Sequence, residues 1–125
     1  MKLQVALLLS LFCRSAAAAP EQCPAVCDCS RGVVRCIFAN LSEIPTELPS
    51  NTTVLDLRFN EISALPRGRL SKLSHLHTLL INNNRLEEIQ SGAFDGLLSL
   101  RHLYLYKNRL TSIGENTFDG LDEVQ

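Results

Sequence analysis

Part of the chain repeats itself with a period of 24 residues, and this period restricts the possible folds more than any other feature. Asn60, Asn84 and Asn108 stand 24 residues apart, each surrounded by apolar residues in the same order. The aligned segments are Leu55-Asp-Leu-Arg-Phe-Asn60, Leu79-Leu-Ile-Asn-Asn-Asn84 and Leu103-Tyr-Leu-Tyr-Lys-Asn108. One copy is too short to bury its own leucines, so neighbouring copies must stack on one another to hide them.

Alternating apolar residues predict a short strand at the start of each copy. In Leu55-Asp-Leu57 the leucines point to one side of the strand and their neighbours point to the other. Further apolar positions follow five, ten and thirteen residues after each asparagine; they are Leu65, Ile89 and Ile113, then Leu70, Phe94 and Phe118, then Leu73, Leu97 and Leu121. The pattern L-x-x-L-x-L-x-x-N-x-L is that of leucine-rich repeats. It predicts an α/β solenoid, a right-handed superhelix with short parallel β-strands on its concave face.

The repeated asparagines are predicted to form a structural ladder inside the solenoid. Asn60, Asn84 and Asn108 each stand where the chain leaves a strand and bends sharply. Backbone N–H and C=O groups lose their sheet partners at such a bend, and a carboxamide can replace those partners. Exposed turn asparagines are the alternative interpretation, but three in register at strand ends favour the ladder.

The first 19 residues have the layout of a secretory signal peptide. A basic residue precedes an apolar run over residues 3–12, and four alanines, Ala16–Ala19, follow. The apolar run is too short to cross a bilayer about 30 Å thick, so a cleaved leader is favoured over an uncleaved anchor. We expect cleavage after Ala18 or Ala19, a secreted mature chain, and no membrane span in the remainder.

Charge and missing motifs argue against several classes of function. Removal of the leader leaves 10 basic residues against 13 acidic ones, a net charge of −3, which does not favour nucleic acid as a partner. His75 and His77 form an H-x-H pair, but no carboxylate or cysteine is placed to complete a metal site. Hydrolase and phosphate-binding motifs are missing as well. The sequence predicts no catalytic residue, metal or cofactor in this chain.

Four cysteines precede the first repeat and predict a covalent cap over residues 20–51. A solenoid leaves an apolar end exposed unless another segment covers it. The cysteines are Cys23, Cys27, Cys29 and Cys36. An even number in an exported chain predicts two disulfides, for which three pairings are possible. A zinc site is the alternative, but the spacing lacks a C-x2-C pair and an oxidising route favours disulfides.

Two sequons lie around the cap. They are Asn40-Leu-Ser and Asn51-Thr-Thr, and both asparagines are predicted glycosylation sites in a chain that enters the secretory pathway.

Residues that alternate with the inward leucines define a predicted protein-binding surface. They lie on the concave face of the repeats over residues 52–125, the face with which solenoids usually bind. The predicted binding residues are Asp56, Arg58, Leu80, Asn82, His102, Tyr104, Tyr106 and Lys107. Tyrosine is frequent at interfaces because it joins a rigid apolar ring to a polar hydroxyl. Packing of these side chains against one another across neighbouring strands is the alternative interpretation.

The strand segments quoted above resemble the opening repeats of the peroxidasin family. The cysteine spacing is similar to the N-terminal flanking module of extracellular leucine-rich repeat proteins, which implies the pairs Cys23–Cys29 and Cys27–Cys36. The first resemblance implies a matrix protein in which immunoglobulin domains and a haem peroxidase domain follow the repeats and cross-link basement-membrane collagen. None of the haem-binding or catalytic positions has a counterpart in these 125 residues. Haem is therefore expected only if a peroxidase domain follows.

These observations predict a secreted, non-catalytic module that binds an extracellular protein or a matrix component. It would contain three repeats and the start of a fourth at Val124. Two alternatives remain open: a non-catalytic piece of a haem peroxidase, and a free-standing adhesion or decoy protein. A longer reading frame with a peroxidase domain would favour the first, and a natural stop after Gln125 would favour the second.

Overall fold

The computed structural model of the chain describes residues 23–121. The predicted signal peptide, residues 1–19, and Val124 lie outside the described residues. Between residues 23 and 121, no helix is both long enough and apolar enough to cross a bilayer.

Eight short strands form two sheets within residues 23–121. They are β1 (Asp28–Ser30), β2 (Val33–Arg35), β3 (Val54–Asp56), β4 (Ala64–Leu65), β5 (Thr78–Leu80), β6 (Glu88–Ile89), β7 (His102–Tyr104) and β8 (Ser112–Ile113). The larger sheet has the order β1-β2-β3-β5-β7. Its β1–β2 hairpin is antiparallel and its other pairs are parallel. The predicted solenoid of short parallel strands is confirmed.

The register of the larger sheet follows the 24-residue period. Leu55 stands beside Leu79, and Leu79 stands beside Leu103. Leu55 and Leu79 are completely buried, as the alternating pattern predicts for the inward side of each strand. Val34 of β2 continues the same row into the cap.

The return segments of the coils consist of turns and short strands. β4, β6 and β8 form a second parallel sheet, and the described residues between the two sheets contain no α-helix, although the sequence predicts an α/β solenoid. Close contact between coils explains in part why these return segments form turns and not helices. Gly96 has a φ of 85°, and a Cβ there would lie 2.6 Å from the carbonyl oxygen of Ser71 in the preceding coil. Such a bend cannot continue as a helix.

The inward leucines and isoleucines form one continuous core. Its completely buried members include Leu57, Ile62, Leu65, Leu76, Ile81, Leu86 and Ile89. Ile113 and Phe118 occupy the equivalent positions of the third repeat, but both are exposed because no further described coil covers them. Phe118 nevertheless stacks on Phe94, with ring centroids 5.8 Å apart.

The ladder asparagines connect each coil to the one before it. Asn84 Nδ2 donates to the carbonyl oxygens of Leu57 and Ile81, at 2.8 and 3.1 Å, and Asn84 Oδ1 accepts from the Ile62 N–H at 3.1 Å. Asn60 and Asn108 make the equivalent bonds one coil earlier and one coil later. Asn60 and Asn84 are buried, whereas Asn108 is half-buried.

Two disulfides close the cap. They join Cys23 to Cys29 and Cys27 to Cys36, the pairs that the resemblance implies. Cys36 is completely buried in the core, and its N–H donates to the carbonyl oxygen of Asp56 in the first repeat at 2.7 Å. The second disulfide thus fixes the cap to the end of the solenoid.

Candidate binding surface

Outward side chains cover the concave sheet in two adjacent rows. The strand register places Arg35, Asp56, Leu80 and Tyr104 in the first row. The second row lies two residues further along the chain, just past the end of each strand, and consists of Ile37, Arg58, Asn82 and Tyr106. Six of the eight predicted binding residues therefore lie in these two rows. His102 is the first residue of β7, and Lys107 directly follows Tyr106.

Asp56 and Arg58 form an ion pair on the first repeat. Arg58 Nε and Nη2 donate to the two carboxylate oxygens of Asp56, at 2.8 and 2.6 Å. The hydrogen bond to Asp56 raises the pKa of Arg58 above its ordinary value. Burial of the guanidinium opposes this shift, whereas the electrostatic interactions with Asp56 and with Tyr106 add to it. Asp56 is buried beneath this contact, so its carboxylate is already satisfied within the chain.

Asn82 stands between this ion pair and the third repeat. Its side chain is 2% exposed, and its Nδ2 donates to Asn83 Oδ1 at 2.8 Å. Asn82 Oδ1 is buried and has no hydrogen-bond partner among residues 23–121. Leu80, beside it, is half-buried. The second repeat therefore offers a partner little side-chain surface at these positions.

The third repeat presents the exposed part of the surface. Tyr104 is 39% exposed and Tyr106 is 57% exposed, and both flanking residues, His102 and Lys107, are exposed too. We call these four residues the tyrosine patch. It combines two aromatic rings, two hydroxyls, an imidazole and an ammonium group, which suits a partner with apolar surface and hydrogen-bond acceptors.

A metal site is not formed by the histidines near this sheet. His77 Nδ1 lies 2.8 Å from Thr78 Oγ1. Over residues 23–121, no three His, Cys, Asp or Glu side chains gather closely enough to hold a metal ion.

Comparison with known proteins places the repeats in a family. A family model described as leucine rich repeat matches residues 74–125. The chain is 49% identical over 61 residues to the human protein named probable oxidoreductase PXDNL, and 52% identical over 60 residues to peroxidasin of Drosophila melanogaster. This is a peroxidasin-like leucine-rich repeat region. The two alignments cover 49% and 48% of the chain but only 4% of each relative.

A solved structure agrees with this assignment. The peroxidasin-like repeat region matches the crystal structure of human trophoblast glycoprotein, also titled Wnt-activated inhibitory factor 1, with a TM-score of 0.71 and 40% sequence identity. The match covers 74% of this chain and 36% of that one. The chain is thus a matrix-type leucine-rich repeat module, as the resemblance to the peroxidasin family predicts.

The peroxidasin-like repeat region also has an aromatic feature that sequence reasoning missed. Phe38 and Phe59 stack with ring centroids 4.6 Å apart and an angle of 13° between the rings, although they are 74% and 41% exposed. Phe59 precedes a ladder asparagine, but Phe38 precedes Ala39 in the shorter cap coil. The pair is separated by 21 residues instead of 24, so the repeat alignment does not bring it together.

Proposed function

We propose that the peroxidasin-like repeat region is an extracellular module that binds a protein or a matrix component through the tyrosine patch. The observation that supports this most is the pair of outward aromatic rings, Tyr104 and Tyr106, on the concave face, where Asp56 and Asn82 at neighbouring positions are buried and offer a partner little surface. A pair of exposed rings offers rigid apolar area and two hydroxyls, and loses little side-chain entropy when a partner covers it.

The extracellular location is supported by the cap. Two disulfides persist in oxidising compartments and are rare in the reducing cytosol. The predicted signal peptide and the sequence identity to peroxidasin also support an extracellular location.

The tyrosine patch is tested by binding of the full chain to an immobilised basement-membrane extract that contains collagen IV and laminin. We expect Tyr104→Ala and Tyr106→Ala each to weaken binding by roughly 10- to 30-fold, the size expected for central aromatic contacts. Leu98→Ala removes an even more exposed apolar side chain from a return segment and should leave binding unchanged. Equal binding by all folded variants, or no binding by the parent chain, would contradict the proposal.

We further propose that the module belongs to a longer protein with a haem peroxidase domain. The identity to probable oxidoreductase PXDNL and to peroxidasin supports this, and the catalytic chemistry would then reside outside these repeats. In that protein the module would hold the peroxidase domain against the matrix collagen that it cross-links. Sequencing of the complete transcript tests this: an open frame with a peroxidase domain supports it, and a stop codon after Gln125 contradicts it.

A further inference from the structure

The stacked Phe38 and Phe59 rings form an exposed aromatic platform beside the cap. Both residues have a left-handed backbone, with φ values of 51° and 58°. Asn83 and Lys107 share this conformation at the equivalent positions of the later coils. A bulky aromatic residue is unusual there, and an exposed ring gains nothing from water. The platform therefore presents apolar aromatic surface that a covering group would remove from water.

Asn40 lies next to this platform and is the acceptor of a sequon. Its side chain is exposed, two residues after Phe38. It lines the same hollow of about 420 Å³ as both rings. The other lining residues are Asn60, Glu61, Asn83 and Arg85.

Backbone hydrogen bonds hold the sequon in a fixed position relative to the rings. The N–H groups of Ala39 and Leu41 both donate to Asn60 Oδ1, at 2.9 and 3.0 Å. The carbonyl oxygen of Leu41 accepts from the Glu61 N–H at 2.8 Å. Asn40 therefore lies between two residues whose N–H groups bond a buried ladder residue, and a group attached to it starts from a defined place.

We propose that an N-linked glycan on Asn40 lies on the Phe38–Phe59 platform. The apolar face of its first N-acetylglucosamine would contact the rings, because polarised C–H groups are attracted to the negative face of an aromatic ring. This proposal rests on the extracellular location proposed above, since the secretory pathway supplies the sugar. Asn40 Nδ2 forms a bond to C1 of the first sugar and loses a proton, and the lipid-linked diphosphate that carried the oligosaccharide departs.

The second sequon provides an internal control. Asn51 is also exposed, but it lines a hollow beside the cap hairpin whose other lining residues are Cys29, Ser30, Arg31, Gly32, Val33, Val34 and Pro49. None of these is aromatic. A glycan on Asn51 therefore reports on export and on general accessibility, but not on contact with the platform.

The test compares the rates at which peptide N-glycosidase F removes the two glycans from the folded chain. The full chain, secreted from a mammalian cell line, is sampled over time, and glycopeptide mass spectrometry follows Asn40 and Asn51 separately. We expect release from Asn40 to be about two- to tenfold faster in Phe38→Ser and in Phe59→Ser than in the parent chain, because the sugar loses its aromatic contact. The rate at Asn51 should not change, and Leu98→Ser should behave as the parent chain does.

Different results would contradict the glycan contact and the extracellular location. A glycan on Asn51 with none on Asn40, or equal release rates at Asn40 with and without the rings, would overturn the glycan contact and leave the platform open to a protein. Retention inside the cell with neither asparagine modified would overturn both proposals.

A substitution that unfolds the cap would accelerate glycan release at both asparagines. A second measurement therefore uses the parent chain without any substitution. In the parent chain, the N-acetyl methyl proton signal of the Asn40 sugar should shift to higher field than that of the Asn51 sugar, because aromatic ring currents act on it. Coincident signals would contradict the contact.

Discussion

At the scale of single residues, one carboxamide satisfies backbone groups from two coils at once. Asn84 accepts from Ile62 and donates to Leu57 and Ile81 in a place that water does not reach. The Leu57 and Ile81 carbonyl oxygens also accept from Asn60 and Asn108, but the Ile62 N–H would otherwise be buried without a partner, which costs about 1–3 kcal/mol. The ladder therefore stabilises the fold chiefly by preventing unpaired groups.

Replacement of Asn84 by alanine should lower the free energy of unfolding by about 1–3 kcal/mol, because it leaves the buried Ile62 N–H unpaired and removes one of two donors to the Leu57 and Ile81 carbonyl oxygens. Urea unfolding followed by circular dichroism measures this loss. Asn108→Ala is the matched control, since Asn108 makes equivalent bonds but is half-buried, so water can replace part of its carboxamide. Equal losses for the two variants would show that burial does not set the cost.

The sequence predicts the ladder asparagines and the inward leucines better than it predicts the binding surface. The ladder and the inward leucines follow from a strict period, so their places are predictable. The exposure of an outward residue depends on whether a neighbour folds over it. Asp56 is buried because Arg58 bends back onto it, while Tyr104, in the same row, stays exposed. The strand pattern assigns both to the concave face but does not distinguish them.

At the scale of elements, the cap is the part that departs from the repeat. Ala39 stands where a repeat would have its asparagine, and Asn60 of the next coil bonds the backbone around it. The Phe38–Phe59 stack depends on this shorter coil, so a strict 24-residue alignment does not reveal it. The return segments were also harder to predict than the strands, because turns and helices can bury the same apolar positions.

The two disulfides of the cap should contribute unequally to stability. They close loops with sequence separations of 6 and 9, for which loop entropy alone contributes about 2.5 kcal/mol each. Cys36 is also completely buried in the core, so its replacement by alanine adds about 1 kcal/mol for lost packing. We expect Cys27→Ala/Cys36→Ala to lose about 3.5 kcal/mol and Cys23→Ala/Cys29→Ala about 2.5 kcal/mol in denaturant unfolding. A larger loss for the Cys23/Cys29 pair would show that the outer disulfide fixes the cap.

At the scale of the whole molecule, stability depends on contact between neighbouring coils. Leu79, Ile81 and Leu86 of the second repeat are completely buried between two others. Their counterparts in the third repeat, Leu103, Leu105 and Leu110, are only partly buried. A side chain of this size contributes roughly 1.5–3 kcal/mol when it is completely buried, so the third repeat is the least stable described coil.

The exposed side of the third repeat should make the chain associate with itself. Ile113 is 49% exposed on the short strand β8, whose outer edge has no partner strand among the described residues, and Phe118 of the same coil is 47% exposed; apolar surface at such an edge favours contact with another chain. We expect the parent chain to sediment as a mixture that shifts towards dimers and larger species as its concentration rises. Ile113→Lys should reduce this shift, because a charge at the edge opposes strand pairing. Leu98→Lys adds the same charge at an exposed apolar residue of a return segment and should change little. A parent chain that remains monomeric at all concentrations and melts reversibly at high temperature would show that the third repeat needs no neighbour.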